Sequence, residues 1–161
     1  MNLYISIGAP GSGKSTYLRD FEDNSARFGP EIIVNLNADE LRGLYGKDES
    51  DQSVSAQAFD FIAKAAHVLF RQGFSVAVDA TSKDKRARAA FIEIAKQYGA
   101  KTVALVFDTP LDICLARNAA RERVVPPDVV RRIYNQIQHP LPGEFDEVQV
   151  ISNWKVTKFD S

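Results

Sequence analysis

Sulfur and imidazole are scarce in this chain: its 161 residues carry one cysteine, one methionine and two histidines, with a single tryptophan, Trp154. A lone Cys114 closes no internal disulfide and builds no multi-cysteine metal site, which suits a reducing compartment and a small core residue. His67 and His139 lie far apart with no cysteine cluster, so they make no zinc site. His67 falls inside an apolar helical stretch and is expected to pack there. Missing too is any apolar run of the ~20 residues that span a bilayer, and the N-terminus has neither a basic region nor a cleavage signal. The expectation is a cytoplasmic chain without a membrane partner. Charge of one sign is also lacking: 20 Lys and Arg against 21 Asp and Glu leave a net charge of −1. Any polyanion binding must therefore come from a local basic patch. With 45% hydrophobic and 25% charged residues, the chain reads as a single globular domain over residues 1–161, without repeats or low-complexity segments. Its oligomeric state is not legible at this level.

What is present begins at Gly8-Ala9-Pro10-Gly11-Ser12-Gly13-Lys14-Ser15-Thr16. This is G-x-x-x-x-G-K-[ST], placed after the apolar run Leu3–Ile7 and before a helix-compatible stretch, the context that a P-loop requires. Glycines are needed because backbone N–H groups must turn inward on a phosphate chain. Lys14 is expected to reach the β- and γ-phosphates and the Ser15 hydroxyl to ligate Mg²⁺, both at the positive end of a helix. Gly8, Pro10, Gly11, Ser12, Gly13, Lys14, Ser15 and Thr16 thus form a candidate ATP site.

Strand-like segments recur at Leu3–Ile7, Glu31–Asn35, Ser75–Asp79, Thr102–Phe107 and Val148–Ser152. Helix-like segments lie between them, near Lys14–Glu22, Ala38–Leu44, Val54–Arg71, Lys83–Tyr98, Leu111–Glu122 and Pro127–Gln138. This alternation predicts an α/β fold, a parallel sheet of about five strands covered by helices on both faces. Ligands of such sheets bind beyond the carboxyl ends of the strands, where Gly8–Ser15, Asn37–Arg42, Asp79–Thr81 and Asp108–Thr109 would emerge. Gly46–Gln52 reads as an exposed loop or as part of an acceptor rim, with Ser53 as a candidate N-cap. Lys83, Lys85, Arg86 and Arg88 open the fourth of these helices as a charge run, either a solvated face or a polyanion contact. Phe59, Phe61 and Phe70 are expected in the core, and Trp154 either packs on the sheet or lies near the adenine.

A second cluster is Asn35-Leu36-Asn37-Ala38-Asp39-Glu40-Leu41-Arg42. A helix starting near Ala38 places Asp39 and Arg42 on one face, a carboxylate beside a guanidinium. By itself this is either a surface ion pair behind an Asn37 cap or a catalytic pair. A kinase acting on an alcohol needs such a pair: a carboxylate to accept the hydroxyl proton and a cation to hold the acceptor's own anion.

The chain here resembles the kinase domain of the phage polynucleotide 5′-kinase/3′-phosphatase family, within the adenylate-kinase-like P-loop group. The similarity runs through Gly8–Thr16, Asn35–Arg42, Asp79-Ala80-Thr81, Ala95–Gly99, Val106–Pro110, Arg117–Arg121 and Val125–Val129. The resemblance implies a three-layer P-loop kinase fold with a helical lid. It implies that Asp39 is the general base for a 5′-hydroxyl, that Arg42 grips the neighbouring acceptor phosphate, and that Arg121 is a lid arginine closing over the donor phosphates. Asp79 and Thr81 match residues that line the active site. Arg117, one turn before Arg121, either stacks on the adenine or pairs at the surface, and is counted with the nucleotide site. The family's phosphatase signature D-x-D-G-T does not occur in this sequence, so no 3′-phosphatase activity is expected. The lid between Arg121 and Val125 is one residue shorter than in the phage enzyme, and Ala38 replaces a basic side chain.

The function so implied is ATP- and Mg²⁺-dependent phosphoryl transfer to a nucleic-acid hydroxyl, most simply a 5′ end of DNA or RNA. One alternative keeps the chemistry and takes a hydroxymethyl group of a modified base, a nucleoside or a small alcohol as acceptor. Another is a P-loop ATPase switch acting through a partner.

Overall fold

Alternation along β1 (Asn2–Ile7) divides the core into two layers. Leu3, Ile5 and Ile7 join one apolar cluster and Tyr4 another, as the two-residue period of a strand demands. The computed structural model describes residues 1–20, 31–45, 54–152 and 155–160. Around β1 it builds one sheet with β2 (Ile33–Asn37), β3 (Ser75–Asp79), β4 (Lys101–Phe107), β5 (Glu147–Ser152) and β6 (Lys155–Asp160). The order is β2-β3-β1-β4-β5-β6. The first five strands pair in parallel, and β6 returns antiparallel to β5.

Helix α1 covers residues 14–20, followed by α2 (Ala38–Tyr45), α3 (Ser55–Arg71), α4 (Lys85–Gln97), α5 (Leu111–Ala119) and α6 (Pro127–Gln136). Helices α3 and α4 cover the Leu3 face with Ala58, Ile62, Ala66, Phe70, Phe91 and Ile92. On the opposite face Leu18 of α1 packs with Tyr4, Leu105 and Phe107. Each such aliphatic side chain contributes about 1.5–3 kcal/mol when fully buried. Helices α5 and α6 meet through Cys114 and Val130 over Ala9, so the lid is seated directly on the loop that follows β1.

The expected α/β fold with helices on both faces is present, and the sixth strand is an addition that the alternation pattern did not reveal. Strand β2 starts two residues later than expected, because Glu31 is occupied below the sheet by Asn2 (2.7 Å) and Tyr4 (3.3 Å). That shift brings Leu36 and Asn37 into the strand. Helix α4 starts at Lys85 rather than Lys83, with Asp84 as its N-cap accepting from the Ala87 amide at 2.8 Å. Helix α5 ends at Ala119 rather than Glu122. The reason is Asn118, whose buried side chain bonds both the carbonyl (2.7 Å) and the amide (3.1 Å) of Val125 and turns the chain. Helix α6 stops at Gln136, since the Gln138 amide donates to the Lys83 carbonyl at 2.7 Å. Phe59 and Phe70 pack as expected, whereas Phe61 is 41% exposed on the outer side of α3. His67 packs edge-on to Tyr98, its Nδ1 3.0 Å from the phenol oxygen. Gly46–Gln52, Ser53 and Trp154 lie outside the described residues.

Candidate active site

Leaving β1, the chain turns at Pro10 and Gly11 and enters α1 at Lys14. Gly11 and Gly13 have φ of 82° and 98°, in the left-handed region that side chains disfavour. At Gly11 a Cβ would also lie 2.2 Å from the Cys114 carbonyl oxygen. The loop is thus pressed against α5 with no room for a side chain. The Thr109 hydroxyl donates to the Ser12 carbonyl at 3.0 Å and ties the loop to the end of β4. The pattern of strands and helices puts Asp108–Thr109 at this edge, and the bracing bond follows only from the folded contact.

Lys14 is almost fully buried, and its ammonium donates to the carbonyls of Gly8 (2.8 Å) and Ala9 (2.9 Å). Burial lowers its pKa to about 8, the Asp79 carboxylate pulls it back up, and Arg121 pushes it down again. Asp79, at the carboxyl end of β3, is buried, and desolvation raises its pKa despite the neighbouring Ser15 hydroxyl and Lys14 charge. A cleft of about 280 Å³ opens over the loop, lined by Gly11, Gly13, Lys14, Ser15, Thr16, Arg117 and Arg121. The structure therefore brings Arg117 and Arg121 to the loop. Arg121 reaches it from the turn after α5, not from a helix, because Asn118 ends that helix first.

On the other side of Asp79 lies the second cluster. The Asn37 amide donates to Asp79 Oδ2 at 2.9 Å, while its Oδ1 accepts from the backbone N–H groups of Asp39 (2.8 Å) and Glu40 (3.2 Å). Asn37 thus caps α2 and joins its start to the end of β3. It was expected as a cap; its bond to Asp79 depends on strand pairing, which sets Asn37 opposite Asp79. Asp39 and Arg42 form an ion pair one turn apart, with Arg42 largely buried and the Asp39 side chain 52% exposed. Thr81 lies half-buried on the loop leaving β3.

Ser15 and Asp79, close enough for the hydroxyl to favour the carboxylate's charge, offer a hydroxyl and a carboxylate. Oxygen donors of this kind fit Mg²⁺, which keeps several waters and phosphate oxygens of its own. Among the described residues no group of three or more His, Cys, Asp or Glu is placed to hold a metal.

One expectation is corrected here. Arg88 is not available to a polyanion. It is fully buried and paired with Glu144 through two bonds of 2.7 and 3.0 Å, and it donates to the carbonyls of Ser82 (3.0 Å) and Gln138 (2.9 Å). Burial pulls the Glu144 carboxyl upward, but the Arg88 contacts and the Leu141 amide win and hold it below the usual range.

A P-loop at the end of the strand between β3 and β4, an acidic residue ending β3 and an arginine-bearing lid together define a P-loop kinase-like domain. Residues 3–140 match the AAA domain family AAA_33, and the chain belongs to it. It is 28% identical over 139 residues to L-seryl-tRNA(Sec) kinase of Methanococcus maripaludis, covering 86% of this chain and 53% of that protein. The chain therefore spans about half the length of that relative. Among solved structures, the Pnkp1/Rnl/Hen1 RNA repair complex contains a chain that is 25% identical with a TM-score of 0.70, covering 85% of this chain and 44% of that one. The APS kinase CysC of Mycobacterium tuberculosis, solved with AMPPNP and APS, is similar in fold, with a TM-score of 0.67 at 21% identity over 96% of this chain and 89% of that one.

Proposed function

We propose that this domain transfers the γ-phosphoryl group of ATP to a hydroxyl of a nucleic acid, most simply the 5′-hydroxyl of DNA or RNA. The observation that carries the reading is Asn37, which bonds the acceptor-side helix and the donor-side Asp79 through one amide. Two clusters that are 25 residues apart from Lys14 to Asp39 in the sequence thereby share one sheet edge. Lys14 and the loop amides bind the β- and γ-phosphates. Ser15 and Asp79 would hold Mg²⁺, which when bound supplies further charge neutralisation on those phosphates. Arg42 grips the anion of the acceptor, and Asp39 takes the hydroxyl proton as the oxygen attacks the γ-phosphorus. The bond to the β–γ bridging oxygen breaks, and ADP leaves with Lys14 and Arg121 neutralising the charge that develops.

The test is transfer of labelled γ-phosphate from ATP to a panel of acceptors: 5′-hydroxyl DNA and RNA, nucleosides, DNA with hydroxymethyl pyrimidines, and seryl-tRNA. Label at 5′ ends that disappears in Asp39→Asn while ATP binding persists is the expected result. A second reading keeps these residue roles and changes the acceptor to another hydroxyl; the similarity to a seryl-tRNA kinase favours including it. Label on seryl-tRNA, a base hydroxymethyl or a nucleoside alone would select that reading. ATP binding with no labelled acceptor at all would point to a P-loop ATPase switch that acts through a partner.

A further inference from the structure

Buried Arg88, paired with Glu144 and donating to the Gln138 carbonyl at 2.9 Å, fixes the start of α4 against the segment that follows α6, and this docking assembles a basic strip from two separate elements. Lys83, Lys85 and Arg86 are exposed on the α4 side. The Lys83 carbonyl accepts from the Gln138 amide at 2.7 Å, its ammonium donates to Gln136 Oε1 at 3.4 Å, and the Lys85 amide donates to Gln138 Oε1 at 3.3 Å. One turn before Gln136 on the same face of α6 is the exposed Arg132. Ser82, held at a φ of 47°, bends the chain from Thr81 into this strip.

We propose that Lys83, Lys85, Arg86 and Arg132 form a phosphodiester-binding track that continues from the acceptor side of the site and takes successive phosphates of a single-stranded polynucleotide. It rests on the nucleic-acid reading above for the identity of its occupant. Three observations support it. The strip starts four residues beyond Asp79, whose carboxylate is tied through Asn37 to the helix that carries Asp39. None of its four cations is in an ion pair among the described residues, unlike Lys64, Lys96, Lys101 and Lys158, which face Asp60, Glu93 and Glu147. Of the carboxylates near the strip, Asp84 is engaged as the α4 cap, and Glu144, whose charge is felt at Lys85, is paired with Arg88. Asp128, one turn before Arg132, forms no ion pair with it. A chain with a net charge of −1 thus concentrates unneutralised positive charge beside the acceptor side, the local patch that polyanion binding requires.

The experiment is direct binding, independent of catalysis. Anisotropy of a 3′-fluorescein, 5′-hydroxyl decamer, made as RNA and as DNA, is measured between 50 and 200 mM salt. The triple variant Lys83→Gln, Lys85→Gln, Arg86→Gln should bind about 10–100-fold more weakly, with the slope of log affinity against log salt flatter by about 2. A charge-matched control, Lys64→Gln, Lys96→Gln, Lys158→Gln, should stay within about twofold of the unaltered protein, and thermal melting should show both folded. Equal weakening by the two triples, or no weakening by the first, overturns the track; so does failure of the unaltered protein to bind either decamer. If the decamer binds through the strip yet receives no phosphate, the track stands and the 5′-hydroxyl reading fails. Phosphorylation of a decamer with an affinity indifferent to the strip has the reverse meaning.

Discussion

The proposed donor and acceptor halves of the site are held in different ways. On the donor side the loop leaves a central strand flanked by β3 and β4, Lys14 is buried against two carbonyls, Thr109 braces Ser12, and Gly11 lies against Cys114. On the acceptor side α2 has eight residues, follows the edge strand β2, and exposes half of the Asp39 side chain. The Asn37 cap and the Asp39–Arg42 pair that hold its start are each worth on the order of 1 kcal/mol in such settings. On the roles proposed above, the phosphate chain common to all donors meets the braced centre of the sheet, while the variable acceptor meets its edge, where change in sequence disturbs the core least.

Breaking the comparison at the lid should have the largest effect. Arg121→Ala is expected to lower the transfer rate by about 10³–10⁵ in single-turnover measurements, because charge on the transferring group loses its partner. Next is Asp39→Asn, with a loss of about 10²–10⁴ in rate and ATP affinity within about twofold by calorimetry. Loss of ATP binding in that variant would mean that the halves are not separable.

Arg88→Met should act on stability, since it strands a buried carboxylate. We expect a loss of about 3–5 kcal/mol, read as a melting temperature lower by about 6–20 °C. The double variant Arg88→Met, Glu144→Leu should regain most of it. Because Glu144 is held below its ordinary pKa, this contribution is present above the unfolded-state value and lost as pH falls through the folded one. Gly11→Ala is smaller, about 1–3 kcal/mol by strain, and should weaken nucleotide binding by about tenfold or more while leaving acceptor binding intact.

The smallest effect concerns protons. Lys14 titrates near pH 8 rather than its ordinary 10.5 because burial disfavours the cation. Its folded value is below the unfolded one, so its contribution to stability rises as pH increases across that interval. Phosphates restore the charge, so calorimetry of ATP binding at pH 8 in buffers of different ionisation enthalpy should show uptake of about half a proton. No uptake would mean that the loop lysine is already fully charged.

Much of this was legible in the sequence because its causes are local. The P-loop spacing, the period-two strands and the Asp39/Arg42 turn depend on neighbours within a few residues; the loop and four strands are within a residue of where those patterns put them, and β2 is displaced by two. Arg88 shows the limit. It stands in a run of cations that reads as solvated, and only its pairing with Glu144, 56 residues away, makes it a core residue. The sixth strand was missed for a similar reason, since an edge strand after β5 shows itself only through its partner.

By itself, then, the sequence determined the loop chemistry, because the positive φ at Gly11 and Gly13 and the Lys14–Ser15 step are demands of consecutive backbone units. Tertiary structure alone decided which charges are buried and which face solvent. Burial depends on what the chain brings back from far along its length, as with Arg88 against Glu144 and Asn37 against Asp79.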